Sequence, residues 1–208
     1  MSDSVNVAVR RDVRGMARQN MVPGNTAARS GYDIRSGREN PPLPTGTQRR
    51  HRDIMPIVPA IAPQEIEATR ELFREYAATL PMSLDYQGFE AELKALPGKY
   101  APPHGRLLLA VEEGRVAGCV AVRPFDERRC EMKRLYLRPA HQGRGLGRQL
   151  AQRAIDEARA AGYAGMLLDT IASMSVAIRL YDSLGFVRRS PYYDTPVSGT
   201  VFMELKWG

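Results

Sequence analysis

Apolar residues recur at helical spacing in four stretches of the chain, and each stretch predicts an amphipathic helix. In the first of them, Ile66, Leu72 and Phe73 fall on one face of a helix whose other face is polar. Glycine follows the last two stretches at Gly162 and Gly185, and a glycine at this position is typical of a helix end. The four predicted helices cover residues 64–79, 86–96, 145–161 and 173–184.

Shorter runs of aliphatic and β-branched residues, separated by turn-forming residues, predict strands. Glu113 and Gly114 separate two of these runs, and this spacing predicts a hairpin. A helix separates the runs 130–138 and 166–170, so we expect these two strands to lie parallel. The predicted strands cover residues 56–61, 106–112, 115–125, 130–138, 166–170, 186–189 and 200–205. The sum is a mixed sheet of six or seven strands with about four helices.

A glycine-rich loop, Gln142 to Gly147, connects the strand 130–138 to the helix that follows it. Glycines let an anion approach the backbone, and the start of a helix offers unpaired N–H groups and the positive end of its dipole. The loop fits neither the G-x-x-x-x-G-K-[ST] pattern of P-loops nor the G-x-G-x-x-G pattern of dinucleotide sites. These features suit a diphosphate, and a glycine-rich turn without a ligand is the alternative.

The loop does satisfy the pattern [QR]-x-x-G-x-[GA] with Gln142, Gly145 and Gly147. It follows LYLRP, and the sequence AIRLYDSLGF comes later, at residues 177–186. In these motifs the chain resembles the GNAT superfamily of acetyl-CoA-dependent N-acetyltransferases, over roughly residues 56–207. The resemblance implies an α/β (α+β) fold of GNAT type with a mixed, mostly antiparallel sheet. It also implies an acyltransferase that moves an acetyl group from acetyl-CoA to a primary amine of a small molecule or peptide by direct attack.

The resemblance implies which residues bind acetyl-CoA. Backbone N–H groups of the glycine loop would hold the pyrophosphate, and the backbone of the central strand would pair with the pantetheine arm and supply an oxyanion donor. The implied residues are Leu135, Leu137, Gln142, Gly143, Arg144, Gly145, Leu146, Gly147 and Arg148. For Arg144 or Arg148 alone, a solvated surface position is the alternative. Met174 stands where the family often has an Asn that contacts the cofactor, so contacts from that helix are left open.

Two residues match the catalytic positions of the family. Tyr181, in the AIRLYDSLGF motif, would protonate the leaving thiolate as general acid, and a packed aromatic residue is the alternative. Glu131 falls where the histone acetyltransferase branch keeps a glutamate that acts as general base. A structural ion pair with Lys133 or Arg134 is the alternative for Glu131, and water alone serves as base in some family members.

The acceptor pocket is implied only by its place in the family, between the first two helices and the loop that joins the last two strands. Aromatic residues together with Asp194 would hold a cationic amine, and Arg123 would hold a substrate carboxylate. Each residue alone is more often structural. The candidates are Tyr86, Arg123, Tyr136, Tyr192, Tyr193 and Asp194.

The net charge of +7 is uneven along the chain. Residues 1–54 hold ten arginines and five acidic residues, a net charge of +5, whereas residues 55–208 hold 20 basic and 18 acidic residues, a net charge of +2. We therefore do not expect the folded domain to bind nucleic acid. Residues 1–54 lack a hydrophobic period, so we expect a disordered Arg-rich extension before one domain over residues 55–208.

Three interpretations of the extension stay open: a tail without a role, a start codon placed upstream of a natural start at Met55, and an arm that binds anions or a partner. No apolar run approaches the roughly 20 residues of a membrane span, and the N-terminus lacks a signal peptide, so we expect a cytoplasmic protein without a membrane partner. The histidines have no metal-ligand spacing, so we expect no metal. Cys119 and Cys130 are predicted to be buried free thiols, with a disulfide as the alternative.

Besides nucleic-acid binding through the Arg-rich extension, two other functions stay open at this point. One is a non-catalytic module that binds coenzyme A and regulates a partner, and the presence of Tyr181 argues against it because a pure binding protein needs no thiolate acid. The other is a transferase with a longer acyl donor. The sequence leaves open which amine is the acceptor and whether the protein is a monomer or a homodimer.

Overall fold

A mixed sheet of seven strands, covered on both faces by helices, runs through residues 56–207, the part of the chain that the computed structural model describes. The elements are β1 (Ile57–Pro59), α1 (Pro63–Ala78), α2 (Phe89–Ala95), β2 (Arg106–Glu112), β3 (Arg115–Pro124), β4 (Arg129–Leu137), α3 (Leu146–Ala160), β5 (Gly165–Ile171), α4 (Ser175–Ser183), β6 (Val187–Arg189) and β7 (Thr200–Lys206). The expected disorder of residues 1–54 and the start at Met55 fall outside the described residues.

The sheet has the strand order β1-β2-β3-β4-β5-β7-β6. Every neighbouring pair is antiparallel except β4 and β5, which lie parallel because α3 returns the chain across the sheet. The predicted fold class, with its mostly antiparallel sheet and about four helices, is confirmed. Within residues 56–207, no helix is both long enough and apolar enough to cross a bilayer.

Strand β2 shows how the sheet buries both of its faces. Leu108 packs in the cluster that α3 covers, whereas Leu107 and Leu109 pack in the cluster that α1 and α2 cover. Successive side chains of a strand point to opposite faces, so a sheet with helices on both sides buries a continuous apolar run. Cys119 and Cys130 are both buried and free, as the sequence predicts.

The second predicted helix, over residues 86–96, is wrong at its beginning. Residues Asp85–Gln87 form a short 3-10 turn, and α2 begins only at Phe89. Gly88 separates the two with φ +71°, a left-handed conformation that glycine adopts without a steric penalty. The glycine therefore interrupts an apolar stripe that looks continuous in the sequence.

Strands β4 and β5 pair over only three residues, Arg129–Glu131 with Gly165–Leu167. Beyond them, β5 continues to Ile171 paired with β7 on its other edge, and β4 continues to Leu137 paired with β3. The two strands therefore part after Glu131, and the second half of β4 has no partner strand on its β5 side.

A β-bulge lies in β4 just beyond the point where the strands part. Cys119 pairs with Tyr136 and Ala121 pairs with Lys133, so two residues of β4 lie opposite the single residue between them in β3. One of the two, Arg134, has φ +57°. A non-glycine residue in this conformation costs on the order of 1–3 kcal/mol, so other contacts must hold it there.

We predict that Gly118→Ala destabilises the fold. A Cβ at this position of β3 would overlap the carbonyl oxygen of Tyr136 and a methyl group of Leu137 on the neighbouring strand. Such overpacking is expected to lower the free energy of unfolding by about 1–3 kcal/mol in urea denaturation.

Gly147→Ala is the matched control. Its added Cβ would make only ordinary 3.7 Å contacts with Leu137 and Leu180, inside a helix where alanine is preferred to glycine. An unfolding free energy of Gly118→Ala equal to that of Gly147→Ala would contradict the prediction.

Candidate active site

A cleft opens where β4 and β5 part, and it holds two adjacent cavities. The outer cavity reaches from the glycine loop along β4 to the start of α4, and the inner cavity lies between β4, β5 and α1. Both are lined by Tyr76, Leu135, Met174 and Ala177. The shared lining places the two cavities side by side, and together they form a path from the glycine loop toward the interior of the sheet.

The glycine loop presents backbone N–H groups at the outer end of this path. Gly143 and Gly145 have φ +74° and +82°, and a Cβ on either would meet no atom within 4 Å. The N–H groups of Gly143, Gly145, Leu146 and Gly147 donate to no other described residue. Four such donors at the start of α3, together with the positive end of its dipole, suit a phosphate or diphosphate group.

Three polar side chains of the loop and of the first turn of α3 are held by neighbouring elements. Gln142 Nε2 donates to the carbonyl oxygen of Leu137 at 2.8 Å and so ties the loop to the end of β4. The guanidinium of Arg144 pairs with Glu112, with Nη1 and Oε2 3.0 Å apart. Arg148 Nη1 donates to Ser183 Oγ at 2.6 Å, and its side chain lines the outer cavity. Of these three residues, only Arg148 is both charged and part of the wall of the outer cavity.

A hydrogen bond to β3 indicates the directions of the Arg134 carbonyl oxygen and the Leu135 N–H on β4. Cys119 Sγ donates to the carbonyl oxygen of Arg134 at 3.4 Å, so this oxygen faces β3. In a planar trans peptide the N–H of the next residue points the opposite way, so the N–H of Leu135 faces the open edge. The side chains of Leu135 and Leu137 pack against the core on the α3 side. The sequence prediction gave these two leucines a backbone role, and this geometry is compatible with it.

Tyr181 lies on α4 and lines the inner cavity, with 8% of its surface exposed. Its ring packs against Phe186 at 5.7 Å between centroids. Burial raises the pKa of the Tyr181 phenol, so the group stays protonated at neutral pH. Tyr76, a half-buried phenol, lines the same cavity, and desolvation raises its pKa to about 12. In the sequence, Tyr76 lies within the predicted helix over residues 64–79 and was given no role in the chemistry.

Glu131, the predicted general base, is enclosed by partners. Its side chain is 2% exposed, and Arg123 Nη2 lies 2.7 Å from its Oε2. The hydroxyl of Tyr192 donates to Oε1 at 2.9 Å, and Lys133 Nζ lies 3.6 Å from the same oxygen. Glu131 does not line the inner cavity. This geometry favours the structural ion pair, and the role of base stays a prediction.

The carboxylate on the wall of the inner cavity is that of Asp169, on β5. Lys133 Nζ donates to Oδ1 at 2.7 Å, and the hydroxyl of Tyr193 donates to Oδ2 at 3.1 Å. Burial acts to raise the pKa of Asp169, but the Lys133 charge prevails and holds it below its usual value. The sequence analysis missed this residue, although an acid inside the apolar run MLLDTI is a signal that could have found it.

The predicted acceptor residues lie at four places. Tyr86 lines the inner cavity, where Gln87 Nε2 donates to its hydroxyl at 2.9 Å and to that of Tyr193 at 3.4 Å. Tyr136 lines the outer cavity. Arg123 and Tyr192 bind Glu131 instead, and Asp194 is exposed between β6 and β7. The structure thus brings together Tyr86 and Tyr193 but not Asp194.

No group of three or more His, Cys, Asp or Glu side chains within residues 56–207 is arranged to hold a metal ion. The site consists of backbone donors at the glycine loop and on β4, together with three phenols and one carboxylate around the inner cavity.

Comparison with known proteins places this site in a family. Residues 66–186, more than half of the chain, match the model of the Acetyltransferase (GNAT) family. An uncharacterised N-acetyltransferase of Schizosaccharomyces pombe is 42% identical over 146 residues, which cover 69% of this chain and 90% of that protein.

Two solved structures of similar fold were determined with acetyl-CoA or coenzyme A bound. A Salmonella typhimurium protein, solved with its cofactor acetyl-CoA, has a TM-score of 0.56 and 26% identity, and the match covers 73% of this chain and 93% of that one. An N-acetyltransferase of Thermoplasma acidophilum in complex with coenzyme A has a TM-score of 0.57 over 74% of this chain and 100% of that one; at 19% identity it shows the fold alone. Together with the family match, these relatives show that the chain belongs to the GNAT family of acetyltransferases and that its co-substrate is acetyl-CoA.

Proposed function

We propose that the protein transfers the acetyl group of acetyl-CoA to a primary amine of a small molecule or peptide by direct attack, with Tyr181 as general acid. The observation that carries this proposal is the alignment of two adjacent cavities, which share four lining residues, between the glycine loop and the interior of the sheet. There the open edge of β4 at Leu135, the Tyr181 phenol and the Asp169 carboxylate line the same space.

The outer half of the path would hold the nucleotide end of acetyl-CoA. The N–H groups of Gly143, Gly145, Leu146 and Gly147 would donate to the pyrophosphate, and Arg148 would add a positive charge beside it. When bound, acetyl-CoA supplies the activated thioester. The protein would position that thioester, because the open edge of β4 leads from the loop to the inner cavity.

Two groups of the chain would stabilise charge as the amine attacks. The N–H of Leu135 faces the open edge and would donate to the oxyanion of the tetrahedral intermediate. The hydroxyl of Tyr181 would give its proton to the departing thiolate, and its raised pKa keeps that proton in place until the thiolate forms.

Asp169 would bind the acceptor. Its carboxylate is anionic at neutral pH because its pKa is lowered, so it attracts an ammonium group to the inner cavity. A carboxylate of lowered pKa is a weak base, so Asp169 would orient the amine while water takes the proton. Tyr86 and Tyr193 would add aromatic and hydroxyl contacts at the same end of the cavity.

We predict that Gly145→Ala weakens the binding of coenzyme A by at least about tenfold in calorimetry, because the new methyl group would occupy the space proposed for the pyrophosphate. Gly162→Ala is the matched control, since Gly162 also has a positive φ and open surroundings, but at the far end of α3. The two variants share the backbone penalty and differ only in the anion site. Equal affinities for coenzyme A would argue against the loop as the binding site.

We predict that Tyr181→Phe lowers kcat by at least about tenfold, roughly 1.4 kcal/mol of barrier, without changing the KM for acetyl-CoA. Free-thiol release with a panel of primary amines measures both constants. Tyr76→Phe is compared because Tyr76 is a phenol that lines both cavities. A loss of kcat confined to Tyr76→Phe would assign the acid to Tyr76. Tight acetyl-CoA binding without turnover of any amine would favour the regulatory module.

We predict that Asp169→Asn raises the KM for the amine by about tenfold and leaves the KM for acetyl-CoA unchanged, because the variant loses the charge that attracts the ammonium group. Asp194→Asn is the control, since Asp194 is exposed and lies off the cavity wall. Steady-state kinetics with one amine at saturating acetyl-CoA measure the difference. A rise in amine KM only in Asp194→Asn would return the amine-binding role to the loop after β6.

A further inference from the structure

The bulge in β4 determines which backbone groups reach the open edge. Successive N–H groups of a strand point alternately to its two edges, and one inserted residue exchanges the edges for every residue that follows. The N–H of Arg138 donates to the carbonyl oxygen of Ala117 on β3 at 3.0 Å. By alternation, the N–H groups of Leu137 and Leu135 face the open edge. Without the extra residue the Leu135 N–H would point into the β3 ladder.

The conformation of Arg134, with φ +57°, is what forms the bulge, and an unusual set of contacts holds its side chain. The guanidinium makes two hydrogen bonds to Glu92 of α2, at 3.2 Å from Nε and 2.6 Å from Nη2. It also lies over the ring of Phe89 at 5.2 Å. The hydroxyl of Tyr100 donates to the same Glu92 carboxylate at 2.6 Å.

This anchor is buried and belongs to the strand rather than to the ligand. The Arg134 side chain is 3% exposed and that of Glu92 is 11% exposed. Glu92 does not line the inner cavity, whereas Arg134 and Leu135 of β4 do. The carbonyl oxygen of Arg134 is fixed on the other side by Cys119 Sγ. The side chain and the carbonyl group of Arg134 are thus both held. Because this carbonyl group belongs to the same peptide as the Leu135 N–H, the direction of that N–H is held as well.

We propose that the Glu92–Arg134 ion pair is a positioning device, which keeps the bulge in place and so directs the Leu135 N–H at the thioester oxygen. The inference rests on the proposed function, because it assumes that Leu135 is the oxyanion donor. Arg134 and Glu92 are positioning residues and contact no reacting atom. Their effect passes through the backbone conformation at residue 134.

A pair of variants at Arg134 separates this role from a merely structural one. Arg134→Ala and Arg134→Gly both remove the anchor and leave Glu92 without its partner, but only glycine adopts a positive φ without penalty. We expect Arg134→Ala to lower kcat by about tenfold or more with little change in the KM for acetyl-CoA, and Arg134→Gly to recover most of that loss.

A spectroscopic measurement on the full-length chain reports on the hydrogen bond itself. The ¹³C resonance of bound [1-¹³C]acetyl-CoA should move downfield from that of the free compound when a donor contacts the carbonyl oxygen. We expect this shift in wild type and in Tyr181→Phe, a clear reduction in Arg134→Ala, and a near-wild-type shift in Arg134→Gly. Glu92→Gln keeps the arginine and weakens the anchor, so an intermediate shift is expected even where Arg134→Ala fails to fold.

The outcomes distinguish the two proposals. A downfield shift that persists unchanged in both Arg134→Ala and Glu92→Gln would overturn the positioning role and leave the proposed function intact. Equal losses in Arg134→Ala and Arg134→Gly would show that the anchor acts on stability alone and would also overturn it. No downfield shift in wild-type protein would remove the oxyanion donor, and with it the function proposed for β4.

Discussion

The unpaired edge of β4 is the constraint on which the rest of the site depends. Beyond Glu131 the strand keeps its β3 partner and loses its β5 partner, so a row of backbone donors and acceptors faces the cleft. Buried backbone groups without partners are costly, and an extended ligand that pairs with them would be bound along its length. The glycine loop begins at the end of this edge, and the inner cavity lies near its start. One geometric event, the separation of two strands, therefore aligns the cofactor site with the acceptor site.

Charged side chains on one face of β4 hold this arrangement from three directions. Glu131 pairs with Arg123 on β3, Lys133 pairs with Asp169 on β5, and Arg134 pairs with Glu92 on α2. All three β4 side chains are at most 6% exposed, and removing one partner from such a buried pair typically costs about 3–5 kcal/mol. The Lys133–Asp169 pair spans the cleft between β4 and β5, and the other two pairs connect β4 to β3 and to α2. The three pairs therefore help to fix the distances between these elements. Stability and positioning are consequently difficult to separate at these residues, and variants that change the backbone preference alone are the more informative ones.

The sequence predicted the features that depend on local patterns. The helix over 145–161, the strands on either side of it and the glycine loop follow from periodicity and from spacing within a few residues, and the structure has them within one or two residues. The partners of Glu131 could not be predicted in the same way, because Arg123 and Tyr192 reach it through sheet register and a distant loop. The bulge at Arg134 has no local signature either, since arginine rarely adopts a positive φ and the cause lies in α2. Asp169 escaped notice because its strand was interpreted only as buried.

One end of the cleft is formed by backbone groups and the other by side chains. This difference explains why the family was easier to infer than the acceptor. At the glycine loop the donors are backbone N–H groups, so the chemistry follows from where glycines stand and where a helix begins. At the inner cavity the contacts come from the side chains of Tyr86, Lys133 and Asp169, carried by three separate elements. Each of these can change without disturbing the loop. A short motif therefore predicts acetyl-CoA directly, whereas the acceptor depends on side chains that only the folded sheet brings together.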